Sequence, residues 1–305
     1  MRPAVATVCS LDAALPTILE DYAAGHCDAV DLWLGHAEAA LAGRDVAELQ
    51  DLFAASGITP VAASFQGGLL TSQGDARLEH WSHFERRLPL LEQLGIPVLV
   101  VSGDAFGPLS AEDLSRLSMS LSEAGKRAAD AGVKLALEFD ARASFPNNLQ
   151  SAVALIDDVG NASVGLCLDW FHYTVGPSKA NDLWLLSPEI LFHVQLSDIA
   201  DVPREMASDA DRILPGEGSS PPDPLLARLR EIGYAGSIAV ETHNPRLWRV
   251  PPPQSKRCCG RDRVCTHQKR QQAPSGASIP LTVWKLVRGG PPADPWPDPQ
   301  WKPKV

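Results

Sequence analysis

The chain has 305 residues, 45% of them hydrophobic and 21% charged, with a formal net charge of −10. That length suits one large α/β barrel or two ordinary domains, and the acid excess argues against a nucleic-acid partner, which needs a face rich in Lys and Arg. No apolar run approaches a membrane span, the N-terminal stretch is broken by Asp12 and Pro16 and lacks a signal-peptide core, and the six Cys fall at spacings that demand no disulfide framework. The expectation is a cytoplasmic protein.

Short apolar runs alternate with longer amphipathic stretches through residues 1–250. "AVATVC" precedes "LDAALPTILEDYAAG", and "AVDLWL" precedes "DVAELQDLFAASG". "ITPVAASF" leads into "ARLEHWSHFERRLPLLEQLG", and "IPVLVVSGD" into "SAEDLSRLSMSLSEAGKRAADAG". "VKLALEFD" precedes "NNLQSAVALIDDVG", "SVGLCLDWFH" precedes a short segment around "NDLWLLSPE", "ILFHVQLSD" precedes "DPLLARLREIG", and "SIAVETHNP" closes the series. Gly57, Gly95, Gly132, Gly160 and Gly233 each stand where a helix should end in a left-handed cap. Eight βα units in about 250 residues fit a (β/α)8 barrel better than a doubly wound sheet. No glycine-rich dinucleotide or phosphate loop follows the first strand.

Beyond Val250 the composition changes. Residues 251–305 hold 11 of the 26 Pro and 3 of the 6 Cys, and their Lys and Arg outnumber their acids. The run "PPP" cannot lie inside a helix, so the barrel is expected to lack a regular final helix. The organisation read here is a barrel over 1–250 and an irregular, Pro- and Arg/Lys-rich tail over 251–305, of the kind a reading-frame change would leave. The cluster "CCGRDRVCTH" has no standard zinc-site spacing.

Four strand ends carry oxygen donors: Glu138 in "LALEFD", Asp169 in "LCLDWFH", Gln195 in "FHVQLSD" and Glu241 in "AVETHNP". Each comes from a different βα unit, and in a barrel such residues converge at the carboxyl-terminal mouth. One carboxylate at a strand end is an ordinary salt-bridging or loop residue. Three in one mouth repel each other unless a cation sits among them. Carboxylates with an amide favour Mn²⁺ or Mg²⁺, with Co²⁺ a further candidate. His193 shares the facing of Gln195 one pleat deeper and reads as a packed residue behind the site. Trp33, Phe65, Gln66 and Trp170 lie at other strand ends, where they either line a pocket or simply pack.

The ordered set "LALE", "LCLDWFH", "HVQLSD", "DRILPGEG" and "AVETHNP" resembles the xylose isomerase-like TIM barrels, the sugar isomerase/epimerase superfamily. That group includes hydroxypyruvate isomerases, ketose 3-epimerases, inosose dehydratases and 3-dehydroshikimate dehydratases. The resemblance implies that Glu138, Asp169, Gln195 and Glu241 bind one divalent metal; many members have His at the place of Gln195, while two branches use Gln. It implies further that His172 contacts substrate and that Arg212, preferred here over Arg204, binds a substrate oxygen or carboxylate. Gln66 and Trp33 are the candidate pocket walls.

With a metal holding adjacent carbonyl and hydroxyl oxygens, Glu138 and Glu241 would remove and return a proton through an enediolate, with His172 assisting. The expected activity is isomerisation or epimerisation of a small sugar or hydroxy-keto acid. The alternatives are a dehydratase of the 3-dehydroshikimate or inosose type, and a barrel inactivated by its altered C-terminus. The expected partner is a small-molecule substrate, with no nucleic acid and no membrane; self-association into a homo-oligomer is left open.

Overall fold

An apolar run becomes a central parallel strand when helices cover it on one side and other strands' side chains on the other. The computed structural model describes residues 1–245. Its strands are β1 (Arg2–Ala6), β2 (Ala29–Trp33), β3 (Thr59–Gln66), β4 (Val98–Gly103), β5 (Lys134–Phe139), β6 (Val164–Asp169), β7 (Leu191–Leu196), β8 (Asp198–Ile199), β9 (Arg212–Ile213) and β10 (Ser237–Val240). Eight of them close into a parallel barrel in the order β1-β10-β7-β6-β5-β4-β3-β2; β8 and β9 form a separate antiparallel ribbon. This is the TIM barrel read from the sequence, and each of its strands came from one of the eight apolar runs. The expected lack of a final helix, the tail and the "CCGRDRVCTH" cluster concern residues outside those described.

The helices are α1 (Leu15–Ala24), α2 (Leu34–Leu41), α3 (Val46–Ser56), α4 (Gly74–Gln93), α5 (Ala111–Asp130), α6 (Leu149–Val159), α7 (Trp170–Val175) and α8 (Asp223–Glu231). Local chemistry sets their ends. Asp45 caps α3, Ser110 and Asp113 form a capping box on α5, and Asn148 with Ser151 does the same on α6. The five glycines named above all have positive φ. Several short elements were not read: α2 starts directly after β2, α7 begins within the "LCLDWFH" run, β8 and β9 pair in a loop, and the short segment at "ANDLWL" is a 3₁₀ helix. The larger core lies between strands and helices, where Phe84, Leu91, Leu121 and Leu225 are buried.

Inside the barrel the packing differs. Such interiors are commonly filled by Val, Ile and Leu. Here small side chains (Ala4, Ala29, Ala62, Ala136, Ala239) take many of the buried places. They leave room for Asp31, Ser64, His193 and Gln195, all buried polar groups. Gly165 is required for close approach: a Cβ there would lie 2.5 Å from the Ile190 carbonyl oxygen and 2.6 Å from the Phe192 ring.

Candidate metal centre and active site

The mouth is assembled from the ends of β5, β6, β7 and β10 and from the ribbon above them. Glu138 is the penultimate residue of β5, Asp169 the last of β6, Gln195 the penultimate of β7, and Glu241 follows β10. The β6 end is special because Asp169 also caps α7: its Oδ1 accepts from the Phe171 N–H at 2.7 Å. That fixes the carboxylate and turns its buried Oδ2 toward His172 and Arg212. One turn on, His172 Nε2 stands 3.8 Å from both Asp169 Oδ2 and Glu138 Oε1. Ligand atoms of Glu138, Asp169 and His172 all lie within 4.8 Å of one another, a group that could hold a metal ion.

Arg212 reaches the same point from β9. It is 1% exposed, with Nη2 2.6 Å from Asp169 Oδ2, Nη1 3.4 Å from Glu241 Oε2, and Nε donating to Asp209 Oδ1 at 2.9 Å. Its guanidinium also lies over the Phe171 ring at 4.2 Å. The loop that carries it is pinned by buried Asp198, which accepts from the N–H groups of Ile199 (2.8 Å), Gly216 (3.1 Å) and Ser220 (2.7 Å). This explains the composition of "DRILPGEG": a Cβ at Gly218 would sit 2.2 Å from the Ile199 carbonyl oxygen.

The charges in the mouth are imbalanced, and the titration of its groups follows. Burial raises the Glu138 carboxyl well above the ordinary carboxylate range, and the charges of Glu241 and Asp169 raise it further. Burial also works to raise Asp169, but Arg212 and His172 beside it and the Phe171 N–H outweigh that and hold it low. Burial pushes His172 down, against the pull of Asp169. The imidazole Nδ1 accepts from the Ala141 N–H at 3.3 Å, and Nε2, 3.4 Å from Arg212 Nη2, faces the mouth.

Gln195 lies between two carboxylates. Its Nε2 donates to Asp31 Oδ2 at 3.1 Å and to Glu241 Oε1 at 3.0 Å, while its Oε1 accepts from Cys167 Sγ at 3.2 Å. Asp31 accepts in addition from Ser64 Oγ at 2.5 Å and meets His193 Nε2 at 3.1 Å. His193 Nδ1 in turn is 2.7 Å from Ser237 Oγ, so this histidine is packed behind the site as read. Burial acts to raise Asp31, yet the hydrogen bond and charge of His193, with Ser64 and Gln195, hold it below the ordinary value.

The structure thus gathers Glu138, Asp169, His172, Gln195, Arg212 and Glu241, and gives Gln66 and Trp33 partners of their own. Gln66 Oε1 accepts from Arg87 of α4 at 2.9 Å, and its Nε2 donates to the Gly67 carbonyl. Strand alternation would turn Gln66 inward like Ser64, but the register of β3 shifts between Ala63 and Gln66, where Phe65 adopts φ 76°. The shift swings Gln66 toward the helices. Trp33 packs edge-on against His36, ring centroids 4.8 Å apart. Phe65 itself is 40% exposed and packs against His243 at 5.1 Å, and His243 Nε2 is 3.6 Å from Glu241 Oε1. Sequence reasoning missed Asp31 and His243; position two residues after Glu241 was the available signal for the latter.

The donor set suits a divalent cation. Asp169 Oδ2 is a buried acceptor whose close partner is the Arg212 guanidinium, Glu138 is held high by burial and by the like charges of Glu241 and Asp169, and the group mixes carboxylates, an amide and an imidazole, a donor set that divalent transition metals accept. The xylose isomerase-like TIM barrel family model matches residues 21–257. The chain belongs to that family. It is 33% identical over 131 residues to the inosose isomerase of Halalkalibacterium halodurans, covering 43% of this chain and 46% of that protein. It is 28% identical over 263 residues to the 3-dehydroshikimate dehydratase of Pseudomonas aeruginosa, covering 82% of this chain and 39% of the relative. These matches span about half or less of the relatives' length. Other relatives include D-psicose 3-epimerases, so the group holds isomerases, epimerases and a dehydratase. Among solved structures, an IOLI protein with a binding zinc atom superposes with a TM-score of 0.80 at 20% identity, over 95% of this chain and 99% of that one. That likeness is one of fold.

Proposed function

We propose that this protein is a divalent-metal-dependent isomerase or epimerase of a small sugar or hydroxy-keto acid. The observation that carries the reading is the convergence of Glu138, Asp169 and His172 ligand atoms within 4.8 Å of one another at the mouth of the barrel. Glu138, Asp169, Gln195 and Glu241 would hold the ion, Mn²⁺ or Mg²⁺ with Co²⁺ also suited. A bound cation supplies Lewis-acid polarisation of a carbonyl oxygen.

The chain's own groups then divide the proton work. Strands β5 and β10 are separated in the barrel by β6 and β7, so Glu138 and Glu241 approach a bound substrate from different sides. One removes the proton from the carbon beside the carbonyl and the other returns it, to the opposite face for epimerisation or through the neighbouring carbon for isomerisation. His172 presents Nε2 to the substrate, and Arg212 offers a guanidinium to a substrate oxygen or carboxylate.

A dehydratase is the second reading. It is favoured by the match to the 3-dehydroshikimate dehydratase over 82% of this chain and by a buried guanidinium in the mouth, where a substrate carboxylate could dock. The deciding experiment incubates metal-loaded protein with ketoses, inososes and 3-dehydroshikimate in D₂O. Deuterium entering the carbon next to the carbonyl supports the isomerase or epimerase. Ultraviolet absorbance from the dehydrated product of 3-dehydroshikimate supports the lyase. Neither signal with any substrate, in protein shown to bind metal, would contradict both.

A further inference from the structure

Gln195 has one carbonyl oxygen and two N–H groups, and two carboxylates take the N–H side: Asp31 Oδ2 at 3.1 Å and Glu241 Oε1 at 3.0 Å. A flipped amide would set Oε1 against both, three acceptors with no hydrogen between them. Asp31 cannot turn away to relieve this. Its other oxygen is held by Ser64 Oγ, and the same Oδ2 meets His193, which is itself tied to Ser237. These partners come from β3, β7 and β10, and Asp31, His193 and Gln195 are all buried. The interior of the barrel therefore dictates how the amide at its mouth lies.

We propose that Asp31 is a positioning residue for the metal centre: it fixes the orientation of the Gln195 amide and, through that amide, the carboxylate of Glu241. The inference rests on the reading of the mouth as a divalent-cation site. Groups that orient a metal-binding side chain commonly set affinity by 10–100-fold without touching the ion.

The test uses the full chain, stripped of metal and titrated with Co²⁺, whose visible bands report ligand geometry independently of turnover. Asp31→Asn makes both amide orientations available, so Co²⁺ affinity should fall by about 10–100-fold with altered bands. In a Gln195→Ala background, Asp31→Asn should cost affinity little more, because the intermediary is gone. General destabilisation would change neither the bands nor this coupling. Should Asp31→Asn fail to fold, Ser64→Ala frees the other Asp31 oxygen and should show the same coupling at smaller amplitude. Co²⁺ binding by the unaltered protein with an equal loss in both backgrounds, or no loss in either, would overturn the role of Asp31 alone. Absence of Co²⁺ binding in the unaltered protein would overturn the metal-site reading with it.

Discussion

Asp31 and Glu138 both stand on barrel strands with neighbouring strands packed around them, yet they meet opposite conditions. Asp31 is fully surrounded by donors, from Ser64, His193 and Gln195, and its carboxyl is held low. Glu138 faces Glu241 and Asp169, and its carboxyl is held high. Burial penalises both anions alike, so the difference lies in the partners. A buried carboxylate with a complete donor set belongs to the fold. Three carboxylates facing one another with the buried Arg212 guanidinium among them ask for a further cation from outside.

The comparison breaks most visibly at the mouth. Glu241→Gln should lower turnover by about 10²–10⁴-fold, the usual loss of an acid/base group, with the barrel still folded by circular dichroism. Unchanged kcat would take Glu241 out of the chemistry.

Arg212 is the mouth's internal cation, paired with Asp169 and Glu241. Arg212→Met should destabilise the metal-free protein by about 3–5 kcal/mol, because two buried carboxylates lose their partner. Divalent metal should recover part of that loss in thermal melts. An identical loss with and without metal would mean that ion and guanidinium do not serve the same carboxylates.

The pH dependence sharpens the contrast, because the two carboxyls act with opposite sign. The folded value of Asp31 is depressed, so its contribution is present above the ordinary carboxylate pKa and lost as pH falls through the folded one. That of Glu138 is raised, so its contribution is full below the ordinary carboxylate pKa and lost as pH rises through the folded value. In metal-free protein, Asp31→Asn should flatten the acid limb of the Tm–pH curve, and Glu138→Gln the limb above the carboxylate range. A Glu138→Gln curve running parallel to that of the unaltered protein would remove the contrast.

The frame of the barrel was legible because a strand covered on both faces must be apolar throughout, as "GLCL" and "AVDLWL" nearly are. The donors at four strand ends were legible for a related reason: polar groups that end such runs have only the mouth to enter. Asp31 was not, because a lone carboxylate within "AVDLWL" shows nothing of the donors on β3 and β7 that satisfy it. Gln66 was expected at the pocket wall because it ends a strand, and that position alone cannot register the shift at Phe65. The burial of Arg212 depends on a loop anchored by Asp198, a contact made across the ribbon rather than along the sequence.

Phe65 offers the smallest effect. It holds a left-handed backbone that favours glycine, with its ring exposed beside His243. Phe65→Gly should stabilise the fold by about 1 kcal/mol and raise KM several-fold with kcat little changed. A lower Tm would show that the ring's packing outweighs its strain.

Calorimetric titration of metal-stripped protein with Mn²⁺, beside Asp169→Asn, tests the central claim most directly. The account predicts one site per chain in the unaltered protein and loss of that binding when the buried Asp169 carboxylate is replaced by an amide. Absence of binding in the unaltered protein, or equal affinity in the two, would contradict it.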